Sequence, residues 1–131
     1  MEKELTVRNV HIDIGCDRPI RIVQMTDLHL NAINDRDREE NNPLTIASYN
    51  DPRNWLRDGA SLPNIMRCLE WAKDADQIVL TGDLISYLSY GNLELLKINI
   101  WDQYDNVMAC VGNHVILLIP DVDLEQFKIA V

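Results

Sequence analysis

The stretch I20-R-I-V-Q-M-T-D-L-H-L-N31 decides how the chain is read. Ile20–Thr26 is apolar and β-branched, the pattern of a strand set well inside a sheet. It ends abruptly on Asp27, and His29 follows with a single leucine between them. Two polar, metal-competent side chains at the end of a buried strand are either loop groups or the holders of a ligand. The choice depends on whether other strands end the same way.

Two do. Residues 77–82, QIVLTG, form a short apolar strand that runs into Asp83. Residues 106–112, NVMACVG, form another that runs into Asn113 and His114. Amphipathic spacing predicts a helix over 61–75, with Ser61 as N-cap, Pro63 in the first turn, and Ile65, Cys68, Leu69 and Ala72 as its apolar stripe. A second helix is predicted over 92–104. Upstream, residues 5–14, LTVRNVHIDI, partly alternate and predict a half-exposed strand, paired as a hairpin with 20–26 across the GCDRP turn. Residues 31–60 read as one long irregular loop whose charge run DRDREE (35–40) is a solvated face. Tyr49, Trp55 and Leu56 are its candidate anchors, and Asn31, Asn34 and Arg36 either line a cleft mouth or are simply solvated. The order β-β-loop-α-β-α-β predicts an α/β domain whose last strands are parallel.

In parallel α/β sheets ligands bind at the carboxyl ends of strands. Three adjacent ends would gather Asp27, His29, Asp83, Asn113 and His114 in one cleft. Carboxylate, imidazole and amide oxygen together suit Mn, Fe or Zn better than Ca, which favours oxygen alone. Glycines at 82 and 112 permit sharp turns and a close approach to a ligand. Two metals about 3.5–4 Å apart would clamp a phosphate and generate hydroxide near neutral pH. His11 lies mid-strand in this reading and has no role.

Composition sets outer bounds. The chain has 131 residues, enough for one small domain, with 47% hydrophobic and 25% charged residues. A formal net charge of -9 disfavours nucleic acid and anionic membrane surfaces as partners, while an anionic substrate remains accessible through a metal. Cys16, Cys68 and Cys110 are an odd set without a C-x-x-C, so neither a disulfide framework nor a zinc finger is expected. The N-terminus lacks a signal-peptide core, and no run approaches the roughly 18 apolar residues of a membrane span. The expected location is cytoplasmic.

D-L-H, G-D-L and G-N-H, each after a buried strand and in that order, resemble the calcineurin-like metallophosphoesterases over roughly residues 20–114. The resemblance implies an α/β fold that is the first half of an αββα sandwich, a mixed sheet with parallel β-α-β units. It implies two divalent or trivalent metal ions, Mn, Fe or Zn, in a dinuclear centre that activates hydroxide. Asp27 and His29 would bind the first metal, Asp83 would bridge both, and Asn113 would bind the second. His114 would be catalytic, as acid or charge stabiliser near the leaving group. The substrate would be a small phosphoester, either a phosphomonoester or a phosphodiester.

The sequence departs from the family in two ways. Val115 stands where an acidic residue usually follows G-N-H, and no histidine follows His114 to supply the family's later metal ligands. The chain is therefore expected to be a single, incomplete domain, 1–131, with a divergent tail over 115–131. Its alternative role is that of a truncated, weakly active or inactive fragment that binds a partner or self-associates through an uncovered sheet face. A receiver-like signalling domain fits poorly, since no lysine follows the strand at 106–111. Neither G-x-G-x-x-G nor G-K-S/T is present for a dinucleotide or P-loop site.

Overall fold

The computed structural model describes residues 5–54, 56–110 and 112, and the backbone of Ile129–Ala130. Its centre is a parallel sheet of β1 (Ile22–Thr26), β2 (Gln77–Thr81), β3 (Val107–Cys110) and β4 (Ile129–Ala130), in that spatial order. Thr26, Thr81 and Cys110 stand in register, so the first three strands end level with one another. Parallel neighbours need crossover connections. Helices α1 (Asp35–Glu40), α2 (Pro43–Asn50) and α3 (Leu62–Ala72) lie between β1 and β2. Helix α4 (Tyr90–Leu96) and its π-helical continuation, Lys97–Trp101, lie between β2 and β3.

Strand periodicity sorts the sheet into two unlike faces. Ile78, Leu80, Val107 and Ala109 are buried under Ile65, Leu69 and Ala72 of α3 and under Leu93, Leu96 and Ile100 of the α4 segment. On the opposite face Ile22 is 63% exposed and Met108 51% exposed. Gln77, Val79 and Thr81 alternate with the buried residues of β2 and are only half-buried. Among the described residues, the helices in the core cluster all pack on one side of the sheet.

The parallel α/β plan is as expected, but several elements differ from the sequence reading. The hairpin of 5–14 with 20–26 does not form, and every strand pairing among the described residues is parallel. Val10, Ile12 and Ile14 are exposed, at 81%, 72% and 75%. Their β-branched character expresses strand preference only where a neighbouring surface buries it. His11 lies in this exposed coil. The segment is tied to the domain at its far end, where Arg18 Nη1 and the Arg21 N–H donate to the two oxygens of Asp76 at 2.7 and 2.8 Å. These donors hold the Asp76 carboxyl below its ordinary pKa.

Residues 31–60 are not one irregular loop. Asn34 caps α1 in a reciprocal capping box with Asp37, Asn41 closes it in the left-handed region, and Asn42 caps α2 ahead of Pro43. The asparagines are helix punctuation. Helix α4 likewise starts earlier than 92, because Ser89 accepts from the Asn92 N–H as its N-cap. Ser61 stands at the N-cap position of α3 but is itself helical and makes no capping bond. Cys68 and Cys110 are half-buried free thiols. Trp55 lies outside the described residues, while Tyr49, in α2, donates to Asp58 Oδ1 at 2.7 Å and ties the helix to the turn that follows it.

Candidate metal centre

At the end of β1 the backbone leaves the extended region at once. Asp27 has φ 56° and His29 φ 47°, and at the end of β2 Asp83 has φ 44°. Non-glycine residues rarely occupy this left-handed region, and clusters of them accompany functional sites. Here the three account for most of the five non-glycine positive-φ positions among the described residues. They are also the three that come together. One ligand atom from each of Asp27, His29 and Asp83 lies within 4.8 Å of the others.

The single leucine of D-L-H explains the spacing. Leu28 is partly buried and packs on the hydrophobic core. Its neighbours stay accessible, with the Asp27 side chain 61% and the His29 side chain 37% exposed. His29 Nε2 stands 3.6 Å from Asp27 Oδ1. The two turns are stitched together by main-chain bonds. His29 N–H donates to Asp83 O at 2.9 Å, Leu30 N–H to Leu84 O at 3.0 Å, and Ser86 N–H to Leu30 O at 2.9 Å.

Both glycines of the strand ends are required, for different reasons. Gly82 has φ 73°, which a side chain would strain. Gly112 lies so close to Asp83 that a Cβ would sit 2.2 Å from both its backbone N and its Oδ1. Glycine at 112 thus lets the end of β3 close onto the Asp83 carboxylate, whose Oδ1 is buried. Two carboxylates and an imidazole around this cradle are a mixed oxygen and nitrogen donor set that fits Mn, Fe or Zn. Asn113 and His114, the expected third-strand ligand and catalytic group, lie outside the described residues.

Behind the centre is a buried polar layer that the sequence reading passed over. Asn92 Oδ1 accepts from Ala32 N–H at 2.8 Å, and its Nδ2 donates to Tyr87 O at 2.9 Å. Ser89 Oγ donates to Ala32 O at 2.6 Å, and Tyr87 OH to Asn31 Oδ1 at 2.7 Å. Burial raises the Tyr87 phenol well above its ordinary pKa, so it remains a neutral donor. Asp37 belongs to the DRDREE run whose composition predicts a solvated face, yet it is 4% exposed. It accepts from the N–H groups of Asn34, Tyr90 and Gly91 at 3.0, 2.9 and 2.8 Å. This layer clamps the chain just past D-L-H to the chain just past G-D-L. The one sequence signal for it was S-x-x-N at 89–92, an N-cap pattern. Of the residues considered for the cleft mouth, Asn31 is buried in this layer and Asn34 caps α1. The Arg36 guanidinium stacks 3.7 Å from the Tyr90 ring centroid.

The model of the family described as calcineurin-like phosphoesterase matches residues 20–128. No curated protein and no solved structure matches the chain significantly. The family match spans most of the sequence and contains every residue of the centre, so the chain belongs to the calcineurin-like phosphoesterases.

Proposed function

We propose that this calcineurin-like phosphoesterase hydrolyses a small phosphoester at the carboxyl ends of β1, β2 and β3, using two divalent or trivalent metal ions. The family is metal-dependent, and the convergence of Asp27, His29 and Asp83 within 4.8 Å is the observation that carries the reading. In this proposal Asp27 and His29 would hold one metal, Asp83 would be shared with a second, and Asn113 would contribute to the second. Bound metal supplies positive charge for phosphoryl oxygens and makes water a nucleophile near neutral pH. That charge answers an evident need, because a chain of net charge -9 must locally attract an anion.

The protein's own groups then divide the work. Leu28 and the Asn92 layer fix the two ligand-bearing turns, so the carboxylates need not reorganise as charge develops. His114 is proposed to donate a proton to the departing oxygen. The proposal extends to a cytoplasmic setting. The test is Mn²⁺-dependent hydrolysis of a chromogenic phosphomonoester and a chromogenic phosphodiester, beside the Asp83→Asn variant. Turnover that disappears both with chelator and in Asp83→Asn is expected. Turnover equal in the variant would contradict the proposal.

A second reading rests on Val115, which stands where an acidic residue usually follows G-N-H, and on the exposure of Ile22 and Met108 on one sheet face. It makes the chain a metal-binding domain without turnover that engages a partner through the open sheet face. Metal binding by a folded chain, with no hydrolysis of either ester, would favour it.

A further inference from the structure

The hydroxyl of Thr26, the last residue of β1, lies between a ligand of the centre and the end of β2. Thr26 Oγ1 stands 2.7 Å from Asp27 Oδ2 and 2.5 Å from the carbonyl oxygen of Thr81, the last residue of β2, and can donate to either. A hydroxyl carries one proton, and the charged carboxylate is the stronger acceptor of the two. Asp27 Oδ2 is therefore held back on the sheet side. Oδ1 stands 3.6 Å from His29 Nε2, and one carboxylate oxygen of Asp27 lies within 4.8 Å of the ligand atoms of His29 and Asp83. The threonine is itself fixed by its register opposite Thr81, whose hydroxyl accepts from Gln24 Nε2 at 2.8 Å.

We infer that Thr26 is a positioning residue that orients the Asp27 carboxylate and thereby sets the affinity of the centre for metal. The inference rests on the metal site proposed above. Residues that hydrogen-bond a ligand commonly govern affinity without touching the ion, because they fix which oxygen is presented and keep it from rotating away.

The experiment is an equilibrium titration with Mn²⁺, following the paramagnetic resonance of the free ion. It compares the wild-type chain with Thr26→Val and Thr26→Ser, alongside urea unfolding of each. Valine keeps the β-branched shape and lacks the donor, and serine keeps the donor. Thr26→Val is expected to bind Mn²⁺ about 10–100-fold more weakly. Thr26→Ser is expected to retain wild-type affinity, although it loses the methyl group and some strand preference. Should Thr26→Val not fold, Thr26→Ala replaces it, with the same expectation. Unchanged affinity in the variant without the donor would overturn the inference while leaving the metal site intact. Equal weakening in Thr26→Ser and Thr26→Val would also overturn it, since packing and not the hydroxyl would then be at work. A wild-type chain that binds no Mn²⁺ would overturn the metal site and the inference together.

Discussion

At the scale of single residues, the centre depends on backbone conformations that side chains resist. Asp27, His29 and Asp83 sit at φ 56°, 47° and 44°, held there by the paired turns between the ends of β1 and β2. Gly112 contributes through the atom it lacks. The Gly112→Ala variant would bring a methyl group to within 2.2 Å of Asp83 N and Oδ1, so the carboxylate or the strand end must move. It is expected to weaken Mn²⁺ binding by at least about tenfold, on the scale of losing a ligand's support. Isothermal titration reads this directly, and unchanged affinity would show that the β3 end does not shape the site. Much of this was legible in sequence. For Asp27, His29 and Asp83 the signal was an apolar strand that stops on a metal-competent side chain, a pattern that packing alone does not demand. The left-handed turns were not legible, because Asp and His carry no mark of φ and only the glycines do.

At the scale of elements, Asp37 does what a surface charge run would not. Its carboxylate accepts from the first N–H groups of α4 and from Asn34, and so joins α1 to α4 while buried. Asp37→Ala leaves those donors in a protein interior without an acceptor. It is expected to destabilise the fold by about 1.5–3 kcal/mol, the range for hydrogen bonds to a charged group. Asn92→Ala strips partners from Ala32 N–H and Tyr87 O and is expected to cost about 1–3 kcal/mol. Urea unfolding measures both, and a change under half a kilocalorie in either would contradict the clamp. Sequence periodicity found β1, β2, β3 and α3 because each buries an apolar set at a regular interval. It misread 5–14, where alternation meets no partner surface. It also missed α1 and α2, whose six and eight residues owe their ends to asparagine caps that look like loop composition. The role of Asp37 depends on residues more than 50 positions away, and local pattern carries no such information.

At the scale of the whole molecule, the described residues form a parallel sheet with core helices packed on one face and a candidate metal cluster at the carboxyl ends of β1 and β2. The charge of -9 and the paired carboxylates of the centre mean that a bound cation relieves repulsion as well as adding bonds. Metal that binds only the folded chain stabilises it by mass action. At one hundred times its dissociation constant it contributes about 2.7 kcal/mol. A rise in melting temperature with Mn²⁺ is therefore expected in the wild type and not in Asp83→Asn. An equal rise in both would place the bound metal elsewhere.

The central claim is the location of the metal. Anomalous diffraction at the manganese edge, from crystals of the chain soaked in Mn²⁺, tests it most directly. An anomalous peak bounded by Asp27, His29 and Asp83 is the expected result. A fully soaked crystal with no peak there, or with its strongest peak at another group of residues, would contradict the account.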